Sequence, residues 1–146
     1  CIAAKSDVYR LAPDDLPLTA DLHADLAALV ERYLELLLDP GVIEMFRCMI
    51  GEAGNHPDIA RMFWEEGPQR MHTLVEAYLR RRVARAELAI DDLSGAAFAL
   101  LNLAHGGEHL ATLLAVPVAS DGPPRTRAEE VATRFLAMFA PVQSRG

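Results

Sequence analysis

His105, Gly106, Gly107, Glu108 and His109 form the string in this 146-residue chain whose residue types and spacing come nearest to catalysis. Two histidines four apart share one face of a helix and can grip zinc, and a glutamate beside the second can act as base. The order H-x-x-E-H is that of the inverted zinc proteases. The two glycines weaken the helix that has to hold both imidazoles. A third ligand from the residues that follow has to be Asp121, Glu129 or Glu130, the only carboxylate side chains there. An isolated motif match carries a high false-positive risk. The favoured reading is structural: Gly106 and Gly107 allow close helix approach at a dimer seam, with Glu108 and His109 at its polar edge. No catalytic residue, metal site or cofactor is assigned. A metal-dependent helical hydrolase using His105, Glu108 and His109 is the alternative, and casual zinc binding by the two histidines is a weaker variant of it.

The second constellation is apolar. Phe46, Met49, Met62, Phe63, Trp64, Met71, Val75, Tyr78, Phe98 and Leu101 could line a pocket, with Asn102, His105 and His72 as nearby polar groups. Methionines adapt to varied ligands, and small-molecule sites are mostly apolar with a few orienting groups. Each of these residues taken singly is equally at home in a core. Asn102 and His105 are more telling, because a polar side chain on an otherwise apolar helix costs stability unless protein, water or ligand satisfies it.

Other candidates carry less. Arg80, Arg81, Arg82 and Arg85 could hold an anion, but read as a solvated helix end that complements the helix dipole. Cys48 lies on an apolar segment with only Arg47 as a neighbouring cation, which reads as core and not as a redox sensor. Gly51 and Gly54 mark a helix end and no phosphate cradle.

These side chains need helices to position them. Ala and Leu together supply 45 of 146 residues, 24 and 21 respectively, while hairpin signals are almost missing. The apolar fraction of 51% and charged fraction of 24% exclude a disordered chain. Two cysteines exclude a disulfide miniprotein. A net charge of −7 argues against a DNA-binding domain, since phosphate backbones attract basic surfaces. The chain opens with no charged-then-apolar leader, and the apolar stretch from Ala96 to Ala119 is broken at residues 105–109, so a reduced cytoplasmic protein without a membrane span is expected. Because the first residue is Cys and not Met, a fragment of something longer is expected.

In order, residues 1–10 read as a helical tail ended by Pro13 and Pro17. From Thr19 to Asp39, apolar residues recur at three- and four-residue spacing after an acidic first turn. Asp39 and Pro40 then open a helix so apolar, with only Glu44 and Arg47 polar before Ile50, that it reads as central core. A short helix over Asp58 to Glu66 is expected to break at Gly67-Pro68. Pro68 starts the next, with Met71, Leu74, Val75, Tyr78, Leu79 and Val83 on one stripe. Asp91-Asp92 caps a helix of about 24 residues. After a loop through Asp121-Gly122-Pro123-Pro124, Thr126 to Glu129 matches a capping box for a last helix bearing Val131, Ala132, Phe135, Met138 and Phe139. The Asp91 helix is apolar around its whole circumference, so it should face its own core on one side and, with the last helix, a twin on the other.

This order of elements resembles the C-terminal regulatory domain of TetR-family transcriptional repressors. The resemblance rests on Leu36-Leu37-Leu38-Asp39-Pro40, on Pro57 to Pro68 with its Phe63 and Glu66-Gly67-Pro68, on Tyr78 to Arg85, and on Asp91-Asp92 before the helix with His105-Gly106-Gly107. It covers about four-fifths of the chain. It implies an all-α domain over residues 1–146, with the last two long helices forming a dimeric four-helix bundle. It also implies a small-molecule effector in a helical cavity, and DNA binding only through an N-terminal helix-turn-helix head for which there is no room before Asp21. A structural dimerisation module with a filled core is the remaining alternative.

Overall fold

A computed structural model describes residues 11–119 and 122–141. The helical tail expected over residues 1–10, with Cys1, lies outside them, as does Asp121. The described residues form helices and connecting turns without a strand: a 3-10 turn at Pro13–Asp15, α1 (Leu22–Leu37), α2 (Pro40–Glu52), α3 (Pro57–Trp64), α4 (Arg70–Ala84), α5 (Leu93–Leu113) and α6 (Pro124–Phe139).

Three helices start on aspartate caps. Asp21 accepts from the Ala24 N–H at 3.0 Å, Asp39 from the Gly41 and Val42 N–H groups, and Asp92 from the Gly95 N–H at 2.9 Å. Each carboxylate satisfies donors that the helix cannot, and its charge suits the positive end of the dipole. α6 starts differently. The capping box expected at Thr126 does not form, because the helix begins at Pro124 and the Thr126 N–H already bonds to the Pro123 carbonyl. Proline at the first helical position loses no bond and brings φ preset, so it moves the start ahead of Thr126.

The break expected at Gly67-Pro68 is also corrected. Residues Glu65–Gln69 form a π turn that joins α3 to α4. A widened turn leaves backbone groups outside the ordinary ladder, so a proline that has no N–H is accommodated there without ending the helix.

The core lies between α1, α4, α5 and α6. Leu26, Val30, Leu34 and Leu37 of α1, Leu74, Val75, Tyr78 and Leu79 of α4, Ala96, Ala97, Leu100 and Ala104 of α5, and Val131, Ala132 and Phe135 of α6 form one buried cluster, in which α1 packs chiefly on α6 and α4 on α5. α2 is not the central helix its composition suggested. Only Val42 and Ile43 are buried, Ile50 is 63% exposed, and Cys48 is exposed rather than core. α2 packs on α1, α3 and α5 along one side, and its outer face remains open. The Asp91 helix has 21 residues rather than about 24. One side of it is core, and an exposed stripe on the other is formed by Phe98 and Asn102 ahead of Gly106 and by Leu110 and Leu114 after it, in two parts because Gly106 leaves helical geometry.

Candidate functional site

At the centre of the molecule, Leu29, Val30 and Tyr33 of α1, Met71 and Val75 of α4, and Leu100, Leu101 and Ala104 of α5 enclose a cavity of about 10 Å³. This is room for one water at most. Of the residues expected to line a pocket, Met71, Val75 and Leu101 stand on this cavity, and Tyr78 is buried one turn further along α4.

Tyr33 connects the cavity to a file of rings. Its hydroxyl lies 2.5 Å from His105 Nε2, the His105 ring stacks on His109 with centroids 5.3 Å apart, and His109 meets the edge of Phe46 at 5.6 Å. Phe46 in turn meets Phe63 edge to face at 5.1 Å. The file runs from α1 across α5 to α2 and α3. Met49 is half-buried on α2. The four-residue spacing of His105 and His109 stacks the two imidazoles even though Gly106 between them departs from helical geometry, with φ 50° and ψ −164°. A Cβ on Gly106 would fall 1.8 Å from Arg127 Nη2, and Arg127 Nη1 donates to Glu108 Oε2 at 2.8 Å.

Burial pushes the His105 imidazole down to about 4, with the His109 ring and the Arg127 guanidinium adding to the effect. Burial lowers His109 as well. Both rings are neutral at neutral pH, each with one donor and one acceptor nitrogen. His109 Nε2 is buried with no hydrogen-bond partner.

Other expected lining residues stand elsewhere. Met62 and Trp64 are exposed on α3, and Phe98 lies over His72 with centroids 4.0 Å apart on the outer side of α4 and α5. Asn102 is exposed on the α5 stripe, so solvent satisfies the polar side chain that composition alone placed in a pocket. Glu108 is engaged by Arg127, and among the described residues no three His, Cys, Asp or Glu side chains converge to hold a metal ion. His109 points at α2 rather than sitting at the polar edge of a seam.

A second polar cluster lies at the far end of α4. Arg82 is not solvated like its neighbours: it is fully buried and Asp25 is 5% exposed. The Arg82 guanidinium donates to Asp25 Oδ2, to Glu87, to the Tyr78 hydroxyl and to the carbonyls of Pro17 and Thr19. Burial alone would lower its pKa, but the hydrogen bonds with Tyr78, Glu87 and Asp25 carry it above the ordinary value. Thr19 completes the carboxylate's set by donating its N–H and its hydroxyl to Asp25. Arg81 reaches the Pro13 carbonyl and Arg85 the Leu18 carbonyl, so two arginines in the last turn of α4 and the one that caps it hold the segment that leads into α1. The signal was in the spacing: Arg82 falls four residues after Tyr78, on the stripe of Met71, Val75 and Tyr78, and Asp25 falls between Leu22 and Leu29 on the buried stripe of α1.

The fold has counterparts of known structure. A protein described as a TetR-family transcriptional regulator from Mesorhizobium loti MAFF303099 superposes with a TM-score of 0.84 at 18% identity, over 95% of this chain and 69% of that one. The flavonoid-responsive regulator FrrA superposes with a TM-score of 0.78 at 26% identity, over 97% of this chain and 72% of that one. No curated protein sequence matches the chain. Residues 24–141 match the family described as AefR-like transcriptional repressor, C-terminal domain. That match takes in nearly all of α1 to α6, and the chain therefore belongs to this family of TetR-type C-terminal domains.

Proposed function

We propose that this domain is the effector-binding and dimerisation part of a one-component repressor. A small, mostly apolar or aromatic molecule enters between α1, α2, α4 and α5 and shifts the dimer between two conformations. What supports this reading is Tyr33, which lines the central cavity and whose hydroxyl meets the first of a file of rings, His105, His109, Phe46 and Phe63; the effector is proposed to open a slot from the cavity along this file, past two neutral imidazoles. Such a lining is what small-molecule sites require. That FrrA is a flavonoid-responsive regulator supports an aromatic effector.

The path outward is α4. One part of this helix lines the cavity with Met71 and Val75, and the other holds residues 13–19 through Arg81, Arg82 and Arg85. A shift of α4 on ligand entry therefore moves the segment before α1, to which a DNA-reading head would be joined. The ligand has to bind the DNA-incompetent state more tightly, and a fiftyfold preference supplies about 2.3 kcal/mol of coupling. The stripe of Phe98, Asn102, Leu110 and Leu114 on α5, with exposed Met138 on α6, is the surface proposed to meet a second copy. Sedimentation at micromolar concentration tests this: a dimer is expected, and a strict monomer contradicts it.

The small volume of the cavity favours a second reading, a dimerisation module with a filled core. A thermal-shift screen against small aromatic compounds separates the two, because a ligand that binds only the folded state raises apparent stability by mass action. The effector reading expects upward shifts that weaken in Val75→Ile, whose added methyl group takes up the cavity. The structural reading expects none.

A further inference from the structure

We propose that the slot selects neutral aromatic ligands carrying a hydroxyl group, and that His109 Nε2 is the atom that recognises the hydroxyl. This inference rests on the effector reading and adds the chemical class of the ligand. A buried polar atom without a partner costs the fold stability, so the group that reaches it gains what the fold has forgone. His109 Nε2 is such an atom. The His105 ring stacks on His109 and Phe46 meets it edge-on, so a ligand that reaches His109 has to part rings already in contact, and a flat aromatic body does so with the least displacement while replacing the ring contacts it breaks.

The polar group on that body is narrowed by charge. Arg127 is paired with Glu108, and Arg47 is spent on the carbonyls of Thr112 and Leu113 and on Glu44. A carboxylate entering beside the two histidines would find neutral rings and cations already matched, and would pay the cost of leaving water. A hydroxyl has a further advantage. It can donate to an unprotonated Nε2 or accept from a protonated one, so it suits either tautomer of the neutral ring, whereas a carbonyl suits only one. The molecule contains the same pairing one turn away, where the phenol of Tyr33 meets Nε2 of His105. A ligand phenol on His109 repeats it.

Naphthalene, 2-naphthol and 2-naphthoate share one ring system and differ in the group at issue. Calorimetric titration of the three into the wild-type chain and into His109→Phe and His109→Gln tests the inference. In the wild type, 2-naphthol is expected to bind about tenfold more tightly than naphthalene, with 2-naphthoate weakest. His109→Phe should bring naphthol and naphthalene to parity, and His109→Gln, which keeps a donor and an acceptor, should retain part of the preference. If His109→Phe fails to fold, the loss or retention of preference in His109→Leu decides. Equal wild-type affinities for naphthol and naphthalene, or a preference that survives His109→Phe, overturn this inference and leave the effector reading standing. Tight naphthoate binding overturns the claim of neutrality. Failure of all three to bind overturns both.

Discussion

Two polar clusters sit inside this helical domain, and they are finished to different degrees. Around Arg82, the guanidinium meets two carboxylates, a phenol and two backbone carbonyls, and Asp25 is bonded in turn by Thr19. Around His105 and His109, one imidazole has a phenol and the other is left with an unpartnered nitrogen. A saturated network fixes one arrangement, because moving any member strands the rest. An unsaturated one keeps part of its bonding capacity for something else. The contrast separates what holds the fold from what can answer a ligand, and α4, with Met71 and Val75 at one site and Arg82 at the other, joins them.

Substitutions can break this contrast at either end. Arg82→Met leaves Asp25 buried without its cation and should cost about 3–5 kcal/mol, read by urea unfolding. A loss under 1 kcal/mol would mean that the cluster does not hold the fold. Gly106→Ala forces a side chain into a backbone conformation that favours glycine and against Arg127, and should cost about 1–3 kcal/mol while disturbing the spacing of the two histidines. An unchanged melting temperature with unchanged ligand binding would mean that α5 straightens freely there.

Acid should act on the unsaturated cluster. The folded-state pKa of His105 lies near 4, below the ordinary 6.5, so the unfolded chain binds more protons between those values. Stability present above pH 6.5 is therefore lost as pH falls through about 4. The groups around this ring are Tyr33, His109, Glu108 and Arg127. His105→Phe should flatten the pH slope of the melting temperature between pH 6.5 and 4, and an identical slope in the variant would assign the loss to other groups. His109→Phe, by contrast, removes an unpaired nitrogen and should leave stability within about 1 kcal/mol of wild type or raise it. The smallest change expected is at Ala86, which ends α4 with φ 58°. Ala86→Gly should gain about 0.5–1 kcal/mol by relieving a left-handed alanine.

Much of the scaffold was legible because its signals are local. Asp39-Pro40 and Asp91-Asp92 announce helix starts wherever the chain goes next, since a cap needs only its own first turn. Gly67-Pro68 misled because whether proline ends a helix or fits a π turn depends on the packing of α3 and α4. Thr126 misled because Pro124 competed for the same helix start and won. The site was legible only in part. Three adjacent arginines look alike in sequence, and only the register of Tyr78 and Val75 marks Arg82 as the inward one. Leu29, Val30 and Tyr33 belong to the apolar periodicity of α1, and nothing along that helix says that α5 will bring His105 to the phenol. Asn102 and Phe98 were drawn inward by their apolar neighbours, although α5 has two faces to cover and they belong to the outer one.

In the proposed function, the slot between α1, α2, α4 and α5 receives an aromatic ligand against the His105 and His109 rings. Nitrogen-detected imidazole resonances, followed during titration with 2-naphthol, report on that contact at the atoms themselves. Nε2 of His109 is expected to shift more than any other imidazole nitrogen, with Nε2 of His105 next and His23 and His56 unmoved. Saturable 2-naphthol binding that leaves both His105 and His109 unshifted would contradict it.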